Sequence, residues 1–431
     1  MGQAHLRVEP RRRLKKGEMM SPYLDLNKDL TPQQIDLKGQ AHRFAEEVLR
    51  PASIKLDAVA DPEDVIKPDS ILWDVFRSAY ELGYHSQGLP ESLGGANLSP
   101  LERHIVSEEM GWGSADFSIA LGVAAFPFAL AAGSGNPELI REYVVPFSQD
   151  RQAKYIGCWA VSEPERGSDA VYVGDGLGRR PGFCFEANAK LDGDEWVISG
   201  QKAAWVSNGT IATHALAFLC VDPSLGMAGT GIAFVPLDLA GVSRGRPLNK
   251  LGQRALNQGE IFFDNVRIPK SYMLVEPAGY PYAAERILAG ANSGMGATFT
   301  GVARAAFEEA LAYCKQRVQG GKPLCEHQLV QKKLFDMFVK VESARALSRA
   351  VMIYNATSKP PATRYSIAAK VYCTEVAFEV ASDAVQLFGG MGLCKELLVE
   401  KLFRDARTAM IEDGSNEVLS LAAAGQLIHK Y

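Results

Sequence analysis

CFEANAKLDGDEWVISG, residues 184–200, is the stretch on which the fold turns. Apolar and polar residues alternate on both sides of Asp192-Gly193, so it reads as two strands joined by a tight turn at that pair. Three more strand runs follow, ALAFLCV (215–221), GIAFVPL (231–237) and EIFFDNVRI (260–268), separated by glycine and proline. The block opens near residue 159, closes at about Pro269, and is expected to be a small β-barrel or sandwich.

On either side of this block the period changes to that of a helix. Upstream, Thr31-Pro32-Gln33-Gln34 is a capped start with proline at the first helical position. FAEEVLRPA (44–52) continues it until Pro51, which should break it. WDVFRSAYELG (73–83) should stop at Gly83, and LERHIVSEEMGWG (101–113) reads as a further helix. Downstream, Leu334, Met337, Val341 and Ala344 repeat at helical spacing. So do Ile367, Val371, Thr374, Phe378, Ala381 and Val385. These are faces of long bundle helices, and a last helix covers Asn416 to His429. The expected organisation is a flexible leader over 1–20, a helical domain over 21–158, the β domain over 159–272 and a four-helix bundle over 273–431.

The chain's 431 residues are enough to bury a large core. With 46 basic against 50 acidic residues there is no cationic surplus to follow a phosphate backbone, so nucleic acid is not an expected partner. Seven scattered cysteines form no CxxC pair, which points to reduced thiols and a cytoplasmic location. The histidines form no HxxxH, and no metal site is expected. No membrane span is expected either. The best apolar run, Ile119 to Ala132, contains Pro127 and falls short of the ~20 residues a span requires. The basic cluster Arg11, Arg12, Arg13, Lys15 and Lys16 has no apolar run behind it and is not read as a signal peptide.

Several motifs invite chemistry. GDGLG (174–178) lacks the strand and helix a dinucleotide fingerprint requires and reads as a connection. QLFGGMG (386–392) follows a long helix, and its paired glycines either cap that helix or present N–H groups to an anion. WAVSEPERGSDA (159–170) and AWVSNG (204–209) each put a tryptophan within three residues of a serine. Trp205 and Ser207 fall on one strand face, so they could offer a ring and a hydroxyl to a flat heterocycle or simply fill a β core. Near the C-terminus, Arg404, Asp405 and Arg407 read as a surface ion-pair stripe. The Glu412-Asp413-Gly414-Ser415 string is either a helix cap or a positioned base at a loop tip.

In this order the motifs resemble the acyl-CoA dehydrogenase family. The matching stretches are AVSEPERGSD, GQKAAWVSNG, KLGQRALNQGEIFFDNVRIP, AERILAGANSGMG, RVQGGKPLCEHQLVQ, QLFGGMG and RDARTAMIEDGSNEV, with GLPESLGG and EEMGWGSAD fitting the first domain. The resemblance implies the helix–β–bundle order and FAD between the β domain and the bundle. It also implies a homotetramer or dimer whose neighbour completes each FAD site, and electron-transferring flavoprotein as the acceptor. It places Trp159, Val161, Ser162, Trp205 and Ser207 on the flavin ring. Arg317, Gln319, His327 and Gln328, with Gln386, Leu387, Gly389 and Gly390, would hold the adenosine and diphosphate across the subunit contact, and Ser415 and Glu417 complete that set. Ser168, Arg286, Glu412 and Gly414 match positions that meet the acyl-CoA.

The chemistry asks for a carboxylate to take the α-proton of an acyl thioester while the flavin accepts the β-hydride. The family's usual base is the glutamate of a Tyr-Glu-Gly-Thr string. Here that position is Asp413, the tyrosine position is Glu412, and Gly320 replaces a phenylalanine near the adenosine. Aspartate is one methylene shorter, and a displacement of about 1 Å can cost on the order of 100-fold in rate. Other family members carry the base on a bundle helix, and the matching residue is Glu285. Both Asp413 and Glu285 are therefore candidate bases, expected to raise each other's pKa in one pocket and to suit a bulky branched or alicyclic acyl group. A flavin monooxygenase on the same fold and a non-catalytic acyl-CoA or FAD-binding paralogue are the competing readings.

Overall fold

The computed structural model describes residues 30–171 and 178–430. The leader and residues 174–177 of the GDGLG motif lie outside them. The N-terminal part contains α1 (Pro32–Phe44), α2 (Arg50–Asp57), α3 (Ile71–Glu81), α4 (Pro100–Gly113), α5 (Ala115–Ala124) and α6 (Phe126–Ser134). The sheet strands are β1 (Gly157–Ala160), β2 (Asn188–Asp192), β3 (Glu195–Ser207), β4 (His214–Cys220), β5 (Thr230–Pro236), β6 (Val242–Arg244), β7 (Gln258–Pro269) and β8 (Met273–Val275). The C-terminal part contains α7 (Tyr280–Gln316), α8 (Gln328–Thr357), α9 (Thr363–Phe388), α10 (Leu398–Ala409) and α11 (Asn416–Lys430).

Thr31 caps α1 through a capping box with Gln34, and Gly83 sits past α3 at φ 77°. Pro51 does not break the helix as the sequence suggests. The turn Ala45–Leu49 widens to a π-helix, and the Arg50 N–H bonds Ala45 five residues back. This wider turn keeps the proline ring from meeting an i−4 carbonyl, and α2 continues through Pro51. The segment Ala115–Ser134 is apolar and long enough to cross a membrane on composition alone. It is two helices, with Pro127 in the first turn of α6, and its Phe117 and Phe128 are fully buried in the core.

The β block is one eight-stranded sheet in the order β6-β7-β3-β1-β4-β5-β8, with β2 pairing both β3 and β4. The outer strands β6 and β8 do not pair with each other, so hydrogen bonding leaves the sheet open. The hairpin turn lies one residue later than the sequence suggests. Asp192 pairs with Glu195, which leaves Gly193 and Asp194 as the loop, with Gly193 at φ 63°. β1 and β2 share one slot between β3 and β4. Residues 157–160 of β1 pair in parallel with 214–217 at the start of β4, whereas Asn188 of β2 pairs with Cys220 at its end. The chain between β1 and β2 therefore leaves the sheet in mid-slot, carrying SEPERGSD out over one side.

In the bundle, α8 buries Leu334, Met337, Val341 and Ala344, and α9 buries Ile367, Thr374 and Ala381, as their spacing predicts. α4 crosses α7 in backbone contact. A Cβ on Gly301 would stand 2.0 Å from the Glu108 carbonyl oxygen, and one on Gly111 would stand 2.0 Å from that of Thr298. A buried charge cluster seals this crossing. Arg304 bonds Glu108 at 2.8 Å and also Glu109, which accepts from His42 at 2.9 Å. Gly301→Ala is expected to lower stability by about 1–3 kcal/mol through overpacking. Urea unfolding would read this as a lower midpoint with an unchanged slope.

Candidate active site

A cavity of about 1450 Å³ lies where the β1–β2 excursion, the end of β3, the first turns of α7 and the α10–α11 loop converge. Its sheet wall carries Trp159, Val161, Ser162, Ser168, Trp205 and Ser207. The β1–β3 register pairs Trp159 with Ser207, which brings the two motifs side by side although they are far apart in sequence. Trp159 is half-buried and its indole Nε1 has no hydrogen-bond partner among the described residues. A buried donor of that kind calls for an acceptor from a bound molecule. Trp205 is 60% exposed, with a ring face free for stacking. Gln258 donates to Ser207 Oγ at 3.0 Å and in turn accepts from Lys250 Nζ at 2.9 Å.

The opposite wall is α7, with Ala284, Glu285, Ile287 and Leu288. Arg286 does not join them. It is exposed and lies over the Tyr282 ring at 5.7 Å, not in an ion pair with Glu285.

The floor is the Glu412–Gly414 loop. Asp413 sits at φ 54° and Gly414 at φ 91°, conformations that turn the chain sharply between α10 and α11. Burial raises the Asp413 carboxyl to about 6, opposed by the positive charge of Lys370. Burial and the neighbouring charge of Asp413 raise Glu412 further, to about 7. The coupled carboxylates are therefore Glu412 and Asp413. Glu285 shares the cavity but is not among the groups that shift Asp413, which corrects the expectation that those two raise each other.

Two residues that the sequence reading did not single out hold this loop, and a third lies beside them. Lys370 is fully buried in α9 and donates to the Gly414 carbonyl at 2.9 Å and to Asn416 Oδ1 at 2.8 Å. Burial pulls its pKa down to about 8, against the pull of Asp413 and Glu412. Gln253, almost fully buried, donates from Nε2 to Glu412 Oε1 at 2.6 Å, and its own N–H donates to Asp405 at 2.6 Å. Lys250 lies beside this pair and is lowered to about 8 by burial, against the negative charge of Glu412. A signal for Lys370 was present in the sequence. It falls on the apolar stripe of α9, three residues after Ile367 and four before Thr374.

The remaining predicted residues sit apart from the cavity. Arg317 and Gln319 lie in a short hairpin after α7, where Gln319 O bonds His327 Nε2 at 2.9 Å, and Gln328 opens α8. Gln386 and Leu387 end α9, and Gly389 caps it at φ 62°, with Gly390 following. Stacking of Tyr313 on Phe388 at 4.0 Å joins these two groups at one end of the bundle. Arg317, Gln319, Gln328, Gln386, Gly389 and Gly390 are exposed there. Ser415 donates its N–H to Ser168 Oγ at 2.9 Å and so ties the loop to the β domain, while Glu417 is exposed in the first turn of α11.

Three family models match the chain: acyl-CoA dehydrogenase N-terminal domain over residues 31–150, middle domain over 158–266 and C-terminal domain over 278–428. A short-chain specific mitochondrial acyl-CoA dehydrogenase of Bos taurus is 35% identical over 81% of this chain and 81% of its own length. The structure of butyryl-CoA dehydrogenase from Megasphaera elsdenii superposes with a TM-score of 0.81 at 27% identity, covering 94% of this chain and all (100%) of that one. A glutaryl-CoA dehydrogenase in complex with glutaryl-CoA superposes with a TM-score of 0.83 at 25% identity, over 94% of this chain and 97% of that one.

Proposed function

The chain belongs to the acyl-CoA dehydrogenase family, whose activity is FAD-dependent dehydrogenation of acyl-CoA, and on that premise we propose that Asp413 is the base of this reaction. The observation that carries this reading is a carboxyl raised to about 6 that faces the same cavity as Trp159, Trp205 and Ser207. A base poised near the working pH is ionised enough to accept a proton and basic enough to pull it.

The cavity wall fits FAD. The unpaired Trp159 Nε1, the Ser162 and Ser207 hydroxyls and the open Trp205 face suit a flat ring edged with acceptors. When bound, FAD supplies the hydride acceptor. The chain's residues do the rest. Asp413 takes the α-proton onto an Oδ atom, with Lys370 holding the carboxylate ionised beforehand. Ile287, Leu288, Ile411 and Leu421 line the cavity and offer an apolar wall to the acyl chain. Glu285 is the alternative base, reaching in from α7.

The shorter Asp413 leaves room beside the thioester, which favours a bulky branched or alicyclic acyl group. A second reading, a short straight-chain acyl group, is favoured by the relative named short-chain specific. Anaerobic bleaching of the flavin by butyryl-, octanoyl-, isovaleryl- and cyclohexanecarbonyl-CoA decides between them. Fastest bleaching by butyryl-CoA would end the bulky-substrate reading, and no bleaching by any thioester would end the dehydrogenase reading.

The exposed end of the bundle, with Arg317 and Gly389, supports a homotetramer in which that end completes a neighbour's FAD site. Val318 and Leu329, 56% and 84% exposed, are apolar surface for such a contact. Electron-transferring flavoprotein is the proposed acceptor and the cytoplasm the proposed location. The purified protein is expected to be yellow. Arg317→Ala should weaken FAD retention several-fold, measured by visible absorbance of the protein fraction after gel filtration.

A further inference from the structure

The acyl end of the cavity contains a polar group that the α-proton chemistry leaves unused. Glu412 stands next to the base, and one of its oxygens, Oε1, accepts from Gln253 Nε2 at 2.6 Å. Among the described residues its Oε2 has no hydrogen-bond partner, and the residue lines the cavity. Gln253 is itself fixed on both sides. Its N–H donates to Asp405 Oδ1 at 2.6 Å, and Asp405 pairs with Lys401 at 2.5 Å. The Glu412 carboxyl is therefore held in one orientation by a buried chain of polar groups. The cavity around it also carries Ile287, Leu288, Ile411 and Leu421.

We infer that Glu412 is a specificity-determining residue: it presents an O–H donor from Oε2 to the acyl group and selects acyl-CoA thioesters whose acyl part carries an acceptor oxygen beyond the β-carbon. This rests on the dehydrogenase reading above. The groups facing Glu412 are Asp413 in its own loop, Lys250 and Gln253 from the segment before β7, and Lys370 from α9. Burial and Asp413 outweigh the two lysines and raise Glu412 to about 7, so it carries its proton below about pH 7. With Oε1 engaged as acceptor, that proton sits on Oε2. A lone donor against an apolar acyl chain loses its water without replacement, and a ketone or ether oxygen on the substrate restores the bond. Above about pH 7 the carboxyl ionises, the donor is lost and the same oxygen is repelled.

The test compares 4-oxocyclohexanecarbonyl-CoA with 4-methylidenecyclohexanecarbonyl-CoA, which has the same shape without the acceptor. Flavin-reduction efficiency is measured anaerobically at about pH 6 and about pH 8, for the holoenzyme and for its Glu412→Gln and Glu412→Leu variants. Taking the ratio of the two thioesters cancels their common dependence on Asp413. The expected ratio is about 10–100 in favour of the oxo compound at the lower pH, falling towards one at the higher. Glu412→Gln, which keeps an N–H donor and cannot ionise, should hold the preference at both pH values. Glu412→Leu should abolish it. A ratio of one or less in the unaltered enzyme at about pH 6, or an undiminished ratio in Glu412→Leu, would overturn the inference while dehydrogenation itself stood. If neither of these thioesters nor any plain acyl-CoA bleaches the flavin, the dehydrogenase reading fails instead, and this inference fails with it.

Discussion

Asp413→Asn is expected to slow flavin bleaching by an acyl-CoA about 10³-fold or more, with FAD still bound. General-base catalysis is worth roughly 10²–10⁴-fold, and asparagine has the same shape without the basicity. The substitution also suits the backbone, because Asp413 sits at φ 54° and asparagine is among the few residues at ease there. The lost rate should therefore report chemistry and not a collapsed loop. In the unaltered enzyme the rate should fall as pH drops through about 6, where Asp413 takes up the proton that disables it. Glu285→Gln should cost less than tenfold. If Glu285→Gln carries the large loss and Asp413→Asn does not, the base lies on α7, and full activity in both variants would remove the carboxylate mechanism.

The second large effect is expected at Lys370. Its ammonium holds the Gly414 carbonyl and Asn416 Oδ1 and faces two carboxylates. Lys370→Met takes the donor from the Gly414 carbonyl, leaves Asn416 Oδ1 only a long bond from Thr374, and removes the counter-charge of Asp413. Breaking a buried pair from one side costs about 3–5 kcal/mol, which thermal unfolding would register as a clear fall in Tm. The sign of the accompanying pH effect follows from what Lys370 does to its neighbour. It lowers the Asp413 pKa, so without it that pKa rises above about 6 and the acid limb of activity moves to higher pH. A fall in Tm with an unmoved acid limb would mean that Lys370 supports the loop without tuning the base.

The helix–sheet–helix order was legible because each part announces itself through local periodicity. The stripes on α8 and α9 and the caps at Thr31 and Gly83 need only residues a few positions apart. The misreadings arose where a local rule met a wider context. Pro51 breaks an α-helix, but not one whose preceding turn has widened at Ala45–Leu49. The hairpin turn slipped by one because pairing of Asp192 with Glu195 is settled by the whole β2–β3 register. The sheet wall of the cavity was legible through its tryptophans and serines, and the floor through Glu412 and Asp413. What holds the floor was not. Gln253 and Glu412 are 159 residues apart, and no pattern along the chain connects an amide in one loop to a carboxyl in another.

The shared slot also governs the order in which the protein can be completed as it is made. β1 emerges early but finds its strand partners in Ser207 and in residues 214–217. The Ala120 carbonyl in α5 likewise waits for the Asn208 side chain, which reaches it at 2.8 Å. Until about half the chain has left the ribosome, Trp159 has no strand beside it, and the apolar helices α5 and α6 have no sheet to cover them. Such long-range pairing makes for slow closure and a period of exposure to aggregation. The nascent chain therefore has its greatest need of a chaperone between the synthesis of α6 and that of β4.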